Sequence, residues 1–172
     1  SKHIGVGALV NYSSYKTKDI DVLSAGYLEA FEADQATTTA GHYEIWNCMP
    51  GLYFNFPVKT FSVPARALAG LTHATTPYIA VDLVADDMDD VTMEQKEAAK
   101  NSFGFDIGAG IRYPVAERFA VNLMADYCYS DPDFKIENIN HQNNAGRVVT
   151  EYHQPLTGVN ISVGIAYLFG PR

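Results

Sequence analysis

The sequence lacks any run of about 18 apolar residues, so it offers no transmembrane helix. It is also poor in charge, with 19% charged residues against 47% hydrophobic ones, whereas soluble domains average about a quarter charged. The formal net charge of −8 argues against nucleic acid as a partner and against adhesion to an anionic membrane surface. The 172 residues suffice for one domain and are too few for two typical ones.

Cysteine is scarce as well, since only Cys48 and Cys128 are present. Two cysteines make no disulfide framework, and their spacing is not that of metal ligands. We interpret them as ordinary thiols in strands, although an oxidising compartment would allow a bridge between them. The acidic cluster within residues 86–94 lacks the spacing and the turn glycine of an EF-hand loop. We interpret that cluster as a solvated loop, and we predict no metal site and no cofactor.

What the sequence has instead is strict alternation of apolar residues with small or polar ones, which is typical of β-strands. Residues 158–169 show it most clearly, because valine, isoleucine and aromatic residues occupy one side and Asn160, Ser162 and Gly164 the other. Each alternating segment has about the length that a tilted membrane strand needs. Within residues 42–57 the pattern changes phase, which predicts a bulge near Pro50. The six predicted strands are 3–12, 42–57, 61–73, 103–113, 118–130 and 158–169.

The connections between these strands alternate in length. Residues 57–60 and 114–117 form tight turns, whereas the long connections are polar. Short turns at one end and long loops at the other are typical of outer-membrane barrels. Within one long connection, Thr92 and Gln95 resemble a capping box, which predicts a helical turn in 92–100. The predicted long loops are 16–41, 86–101 and 131–155.

Aromatic residues fall at both ends of the predicted strands, with aliphatic residues and alanines between them. Two aromatic girdles around an apolar band are typical of a barrel that spans a membrane. The predicted girdle comprises Trp46, Phe103, Tyr113, Phe119, Tyr127, Tyr129, Tyr167 and Phe169.

The opposite, inward face carries four charged residues: Arg66, Asp106, Arg112 and Asp126. Charges that point into a narrow barrel must pair, because an unpaired buried charge is costly. We therefore predict a lumen ion-pair cluster with pairing across neighbouring strands. A gated path for water or ions is the functional alternative for the same residues.

Residues 103–113, the turn at 114–117 and residues 119–127 resemble the small outer-membrane β-barrel family of Gram-negative bacteria, of the OmpA/OmpX-like kind. The closing strand, with a glycine before a terminal aromatic pair, resembles the C-terminal signature strand of these proteins. The resemblance covers 103–169 well and 1–73 more loosely. It implies one all-β domain over 1–172, an antiparallel up-and-down transmembrane barrel of eight strands, a porin-like architecture and a cleaved signal peptide. It also implies a location in the cell outer membrane, with outer-membrane lipid, lipopolysaccharide and other outer-membrane proteins as partners.

The strand count leaves two alternatives open, because six strands are clear and the family implies eight. The first two strands belong upstream of Ser1, or residues 20–31 and 76–85 supply the missing pair. The first alternative is favoured, since the second spoils the alternation of loop lengths. An open six-stranded sheet would leave unsatisfied edges in lipid.

For function, we favour a non-enzymatic outer-membrane barrel with a structural, adhesion or accessory-subunit role through its long loops. A rim enzyme that acts on lipid or peptide is a second hypothesis, with His42, His141 and His153 beside Ser130 and Asp131 as candidate residues. A soluble lipocalin-like calyx is a third. It would require the apolar faces of the strands to point inward.

Overall fold

The computed structural model describes residues 3–18, 20–31, 33–85, 88–141 and 146–167. Within these ranges the protein consists of antiparallel strands and one short helix, so it is an all-β fold. The elements in chain order are β1 (Ile4–Lys16), α1 (Ile20–Phe31), β2 (Gln35–Ala40), β3 (His42–Val58), β4 (Phe61–Thr75), β5 (Ile79–Ala85), β6 (Met88–Gln95), β7 (Ala99–Pro114), β8 (Phe119–Ser130), β9 (Asp133–Asn140), β10 (Gly146–His153) and β11 (Leu156–Tyr167).

The first sheet holds the six strands that the alternation predicts, and that prediction is confirmed. Its order is β1-β3-β4-β7-β8-β11, and the sheet curls into a half-barrel. Every neighbouring pair is antiparallel. Within the described residues β1 pairs only with β3 and β11 only with β8, so these two strands are the edges of the sheet.

The short turns are also confirmed. Only two residues separate β3 from β4, and Lys59 there adopts a left-handed backbone with φ of 46°, as a two-residue hairpin turn requires. Between β7 and β8 the Val115 N–H donates to the Phe119 carbonyl at 3.0 Å. Both turns lie at the same end of the half-barrel.

The second sheet lies at the opposite end, with the order β10-β9-β6-β5-β2. Each of its strands continues a strand of the first sheet after a joint of one to three residues. Pro77, Pro132 and Pro155 lie in three of these joints, where their missing N–H interrupts the ladder. The connections that we predicted as long loops carry four of these strands, β2, β6, β9 and β10, and the helix, so that prediction was wrong.

Two finer predictions were wrong too, and the less favoured alternative for the missing strand pair does not hold. The capping pattern at Thr92 and Gln95 predicts a helical turn, but both residues lie in β6. Residues 20–31 are a helix, and β5 belongs to the second sheet, so neither supplies a barrel strand. No bulge occurs at Pro50, because Cys48 pairs with Leu71 and Gly51 with Leu68 in one unbroken register.

The register shows how the concave side of the first sheet is filled. One cross-sheet row reads Leu9, Met49, Gly70, Gly104, Ser130 and Leu156. Bulky and small residues share the row, so a long side chain can extend over the glycines beside it. A Cβ added at Gly104 would lie 2.9 Å from the Met49 Cε, which shows that Met49 occupies this space. Met49 and Leu68 are buried on this concave side.

Candidate functional site

The convex face of the first sheet is apolar and exposed. Ile161, Val163 and Ile165 of β11 are 76%, 75% and 78% exposed, and Val6 at the other edge is 85% exposed. Their neighbours in sequence point to the concave side, as the alternation predicts. Large contiguous apolar surfaces on a monomer mark contacts with a membrane or another protein. Here the surface runs across all six strands.

Aromatic rings lie at both ends of this apolar face. At the turn end the rings of Phe119 and Tyr167 meet edge-on at 5.2 Å. At the other end the rings of Tyr12 and Trp46 are 4.7 Å apart. The remaining predicted girdle residues follow the same two levels, with Tyr113 at the turn end and Phe103, Tyr127 and Tyr129 at the other. Phe169 lies outside the described residues.

The concave face holds a buried charged cluster, which we call the lumen cluster: Arg66, Asp106 and Asp126. The Arg66 Nε–H donates to Asp106 Oδ1 at 3.0 Å, and Asp126 Oδ1 lies 2.9 Å from the same Nε. Both carboxylates are almost fully buried. A single N–H can point to only one acceptor, and Asp126 Oδ1 has no hydrogen-bond donor. Asp126 is therefore held by charge and Asp106 by charge and a hydrogen bond.

Strand register explains why these three residues meet. Arg66 on β4 pairs with Gly108 on β7, which in turn pairs with Asp126 on β8. A glycine thus separates the two charged side chains in one row. A Cβ on Gly108 would collide with Asp126 Oδ1, so only glycine lets the carboxylate cross the strand to Arg66. The sequence pattern indicates that an inward glycine such as Gly108 makes room for a neighbour, but it does not show that this neighbour is Asp126.

The fourth predicted member, Arg112, lies elsewhere. Its Nε donates to Asn122 Oδ1 at 2.7 Å, and the two residues are register partners. Asp106 lies six residues away along β7, which is about 20 Å of extended strand. Arg66 therefore pairs with aspartates on two other strands, whereas Arg112 donates to the Asn122 amide. Sequence reasoning grouped the residues by sign and face, but it could not assign the register.

The two cysteines lie on opposite faces and are both free. Cys48 is on the exposed face, whereas Cys128 faces inward and donates its S–H to Asp106 Oδ2 at 2.9 Å. Asn160 Nδ2 donates to the Cys128 Sγ at 3.4 Å. Cys128 is thus a member of the polar network around the lumen cluster, a role that sequence reasoning missed.

A cavity of about 350 Å³ opens between the two edge strands, near the second sheet. The side chains of Asn11 on β1 and Asn160 on β11 line opposite walls of it. Asn11 Oδ1 and the Tyr43 hydroxyl are buried there without a hydrogen-bond partner, which is unfavourable unless another group or water serves them. The floor includes Thr72 and Cys128, directly above the lumen cluster.

Phe134 closes the end of the half-barrel nearest the second sheet. It is 1% exposed and packs in a core with Ala74, Ala98 and Ile136. The ring of Tyr43 contacts it edge-on, with centroids 6.3 Å apart. Sequence reasoning placed Phe134 in a polar loop, although its alternation with Ile136 is a short strand signal.

The histidines of the rim-enzyme hypothesis lie at different places in the fold: two are at strand ends, and His141 follows β9. His42 begins β3, His141 Nε2 lies 3.0 Å from Glu94, and His153 contacts two aspartates. Ser130 is buried on the concave side. Both ring nitrogens of His153 face carboxylates, so neither is placed to accept a proton from Ser130. This arrangement does not favour a nucleophile–base pair.

The described residues hold no helix long and apolar enough to cross a membrane. In the same residues, no group of three or more His, Cys, Asp and Glu side chains is placed to hold a metal ion. Residues 86 and 87 and the side chains of 85–90, which include most of the acidic cluster, lie outside the described part of the chain. No family model, no curated protein and no solved structure matches the chain.

Proposed function

We propose that this protein is a non-enzymatic outer-membrane β-barrel whose convex face contacts lipid and whose second sheet projects from the membrane. The projecting sheet then serves a structural, adhesion or accessory-subunit role. Outer-membrane lipid and lipopolysaccharide are its surroundings, and other outer-membrane proteins are candidate partners. The resemblance of its strands to the small outer-membrane barrels supports the same proposal.

The observation that carries the proposal is the reversed placement of apolar and charged residues in the first sheet. Its apolar residues are exposed on the convex face, while its charged residues are buried on the concave face. In water this arrangement is unfavourable on both sides, since apolar exposure and charge burial each cost free energy. In lipid the convex face is satisfied, and only the concave face must pair its charges.

The dimensions agree with a bilayer. Phe103 and Tyr113 stand at opposite ends of the apolar face of β7, about 33 Å apart along an extended strand. At the strand tilt of membrane barrels, about 40°, this corresponds to a band about 25 Å tall, which is the height of the apolar band in such barrels.

Closure of the barrel belongs to the proposal. Edge strands cannot face lipid, because their backbone groups would be unsatisfied. Since β1 and β11 run antiparallel to each other in an alternating sheet, an even number of strands fits between them. Two further strands would complete eight and would bring partners towards Asn11 Oδ1 and the Tyr43 hydroxyl.

The test is a lysine substitution in the middle of the convex face. Ile161→Lys places a charge on β11 where we expect lipid, and it should lower the free energy of unfolding by about 2–4 kcal/mol. The measurement is a urea titration of the protein folded in lipid vesicles.

The matched control is Val148→Lys on β10 of the second sheet, where the side chain is 60% exposed. An exposed position in water should change stability by less than about 0.5 kcal/mol. If Ile161→Lys behaves like Val148→Lys, and the protein stays soluble without detergent, the membrane proposal is wrong. That result would indicate a soluble protein whose apolar face binds another protein. It would not support the lipocalin-like calyx, because the calyx needs this face to point inward.

A further inference from the structure

The hairpin β9–β10 is joined to the first sheet through a weak hinge. Asp131-Pro132 separates β8 from β9, and Gln154-Pro155 separates β10 from β11. The two prolines donate no backbone hydrogen bond. The Gln154 N–H donates to the Pro132 carbonyl at 3.2 Å, and this bond spans the joint.

The His153 side chain also spans this joint. Its Nδ1 lies 2.7 Å from Asp133 Oδ1, on its register partner above the joint. Its Nε2 lies 3.2 Å from Asp131 Oδ1, at the level of Pro132. Asp131 Oδ1 is buried and accepts no hydrogen bond from any described residue, so its 3.2 Å contact with Nε2 is a contact of charge. Nε2 is therefore the group placed to serve it.

The chemistry of imidazole makes this arrangement sensitive to protonation. A carboxylate is only an acceptor, and a neutral imidazole has one N–H donor and one acceptor nitrogen. Only the imidazolium form offers an N–H to both aspartates. Loss of the proton sets a nitrogen lone pair against a carboxylate oxygen and breaks one of the two contacts.

We propose that His153 is a pH-sensitive clasp that fixes the β9–β10 hairpin to the half-barrel when it is protonated and releases the hinge when it is neutral. The clasp involves only the β9–β10 hairpin and its joints to β8 and β11. It is therefore independent of whether the first sheet faces lipid. Phe134 packs in a buried core at the base of the hairpin, and His153 is not a member of that core. Release therefore loosens the joint without detaching the strand.

The charged groups around His153 do not reverse the direction of this pH effect. The hydrogen bond to Asp133, followed by the charge of Asp131, raises the pKa of His153 above its ordinary value of 6.5. The other groups facing this region are the Tyr129 hydroxyl, which donates to Asp131 Oδ2 at 3.4 Å, and the exposed pair Lys135–Glu151, with Lys100 of β7 near Glu151.

The sign of the pH dependence follows from that shift. The folded protein binds the His153 proton more tightly than the unfolded chain. The stabilisation is therefore complete below about pH 6.5 and is lost as the pH rises through the raised value. The clasp therefore holds in mild acid and opens as the pH rises through the raised pKa of His153.

The experiment measures hydrogen exchange at the Gln154 amide across this pH range, corrected for the intrinsic pH dependence of exchange. We expect its protection to fall as the pH rises from about 6 to about 8, with the midpoint equal to that of the His153 imidazole in an NMR titration. In His153→Gln the protection should be low and independent of pH. His141→Gln, the matched control at another histidine–carboxylate contact, should keep the dependence of the parent protein.

A second variant separates the clasp from a general loss of folding. Asp133→Asn removes the largest cause of the shift, so the midpoint should move to lower pH while the core around Phe134 stays protected. A flat profile in the parent protein would overturn the proposal. So would a pH dependence that survives in His153→Gln, or a His153 that titrates at its ordinary value.

Discussion

The two sheets of this protein are built from the same hairpins, yet they follow different rules. Strands of the first sheet have 12–17 residues, and one face is apolar while the other is small, polar or charged. Strands of the second sheet have 6–8 residues. In β10 nearly every residue is exposed, and polar side chains occupy both of its faces. Apolar and polar residues are separated onto opposite faces of a strand where those two faces have different surroundings.

The charges differ in the same way. In the first sheet the lumen cluster is buried, and one arginine serves two carboxylates. In the second sheet Lys135 and Glu151 form an exposed pair, and the exposed Arg147 pairs with Glu137, which is 19% exposed. Buried pairs are costly to break because the remaining charge stays desolvated, whereas exposed pairs contribute little. The comparison can therefore be tested by breaking one pair of each kind.

The largest effect is expected from Arg66→Leu. It leaves Asp106 and Asp126 buried without a cation, so the free energy of unfolding in detergent micelles should fall by about 3–5 kcal/mol. Arg147→Leu, in which a 69% exposed side chain loses Glu137, should cost less than about 1 kcal/mol. Adding Asp106→Asn and Asp126→Asn to Arg66→Leu should recover much of the loss, because no buried charge remains. Equal costs at Arg66 and Arg147 would contradict the assignment of a buried network.

A second prediction concerns the contact between the two sheets. Phe134→Ala removes a fully buried ring and should destabilise the protein by about 3–5 kcal/mol. The register partner of Phe134 is Tyr152, which is 57% exposed, so Tyr152→Ala should cost less than about 1 kcal/mol. Urea unfolding measures both. If Phe134→Ala is as mild as Tyr152→Ala, the second sheet is not anchored through this ring.

A smaller effect is expected at Gly108. A methyl group there collides with Asp126, so Gly108→Ala should cost about 1–3 kcal/mol through overpacking. Gly164 also faces inward, but its added Cβ would meet no described atom within 4 Å. Gly164→Ala should be neutral or slightly stabilising, since alanine loses less backbone entropy than glycine. Unfolding midpoints in the same detergent would compare the two, and a neutral Gly108→Ala would argue against the crossing of Asp126 to Arg66.

The sequence predicted the first sheet well because each of its strands has two unlike faces. The pattern is clear in β11, where Val159, Ile161 and Val163 lie on one face and Asn160 and Ser162 on the other. It predicts both the strand and the direction in which each face points. The tight turn before β8 was equally clear, since Pro114 ends one alternating segment and Phe119 begins the next. Local pattern was sufficient wherever one face was distinct from the other.

The second sheet and the detailed contacts were not predictable in this way. Thr37, Thr38 and Thr39 of β2 show no alternation, because the strand presents polar groups to both sides. Arg112 and Arg66 are alike in sequence, and only register decides that Arg66 meets the aspartates. Register between distant strands depends on the whole sheet, so a single strand pattern does not specify it.

The most direct test of the central claim, that the convex face contacts lipid, is the electrophoretic mobility of the detergent-extracted protein with and without boiling. We predict that the protein requires detergent for extraction and that its folded form migrates differently before and after boiling, as a closed membrane barrel does. A protein that is soluble without detergent and shows no change on boiling would contradict the account.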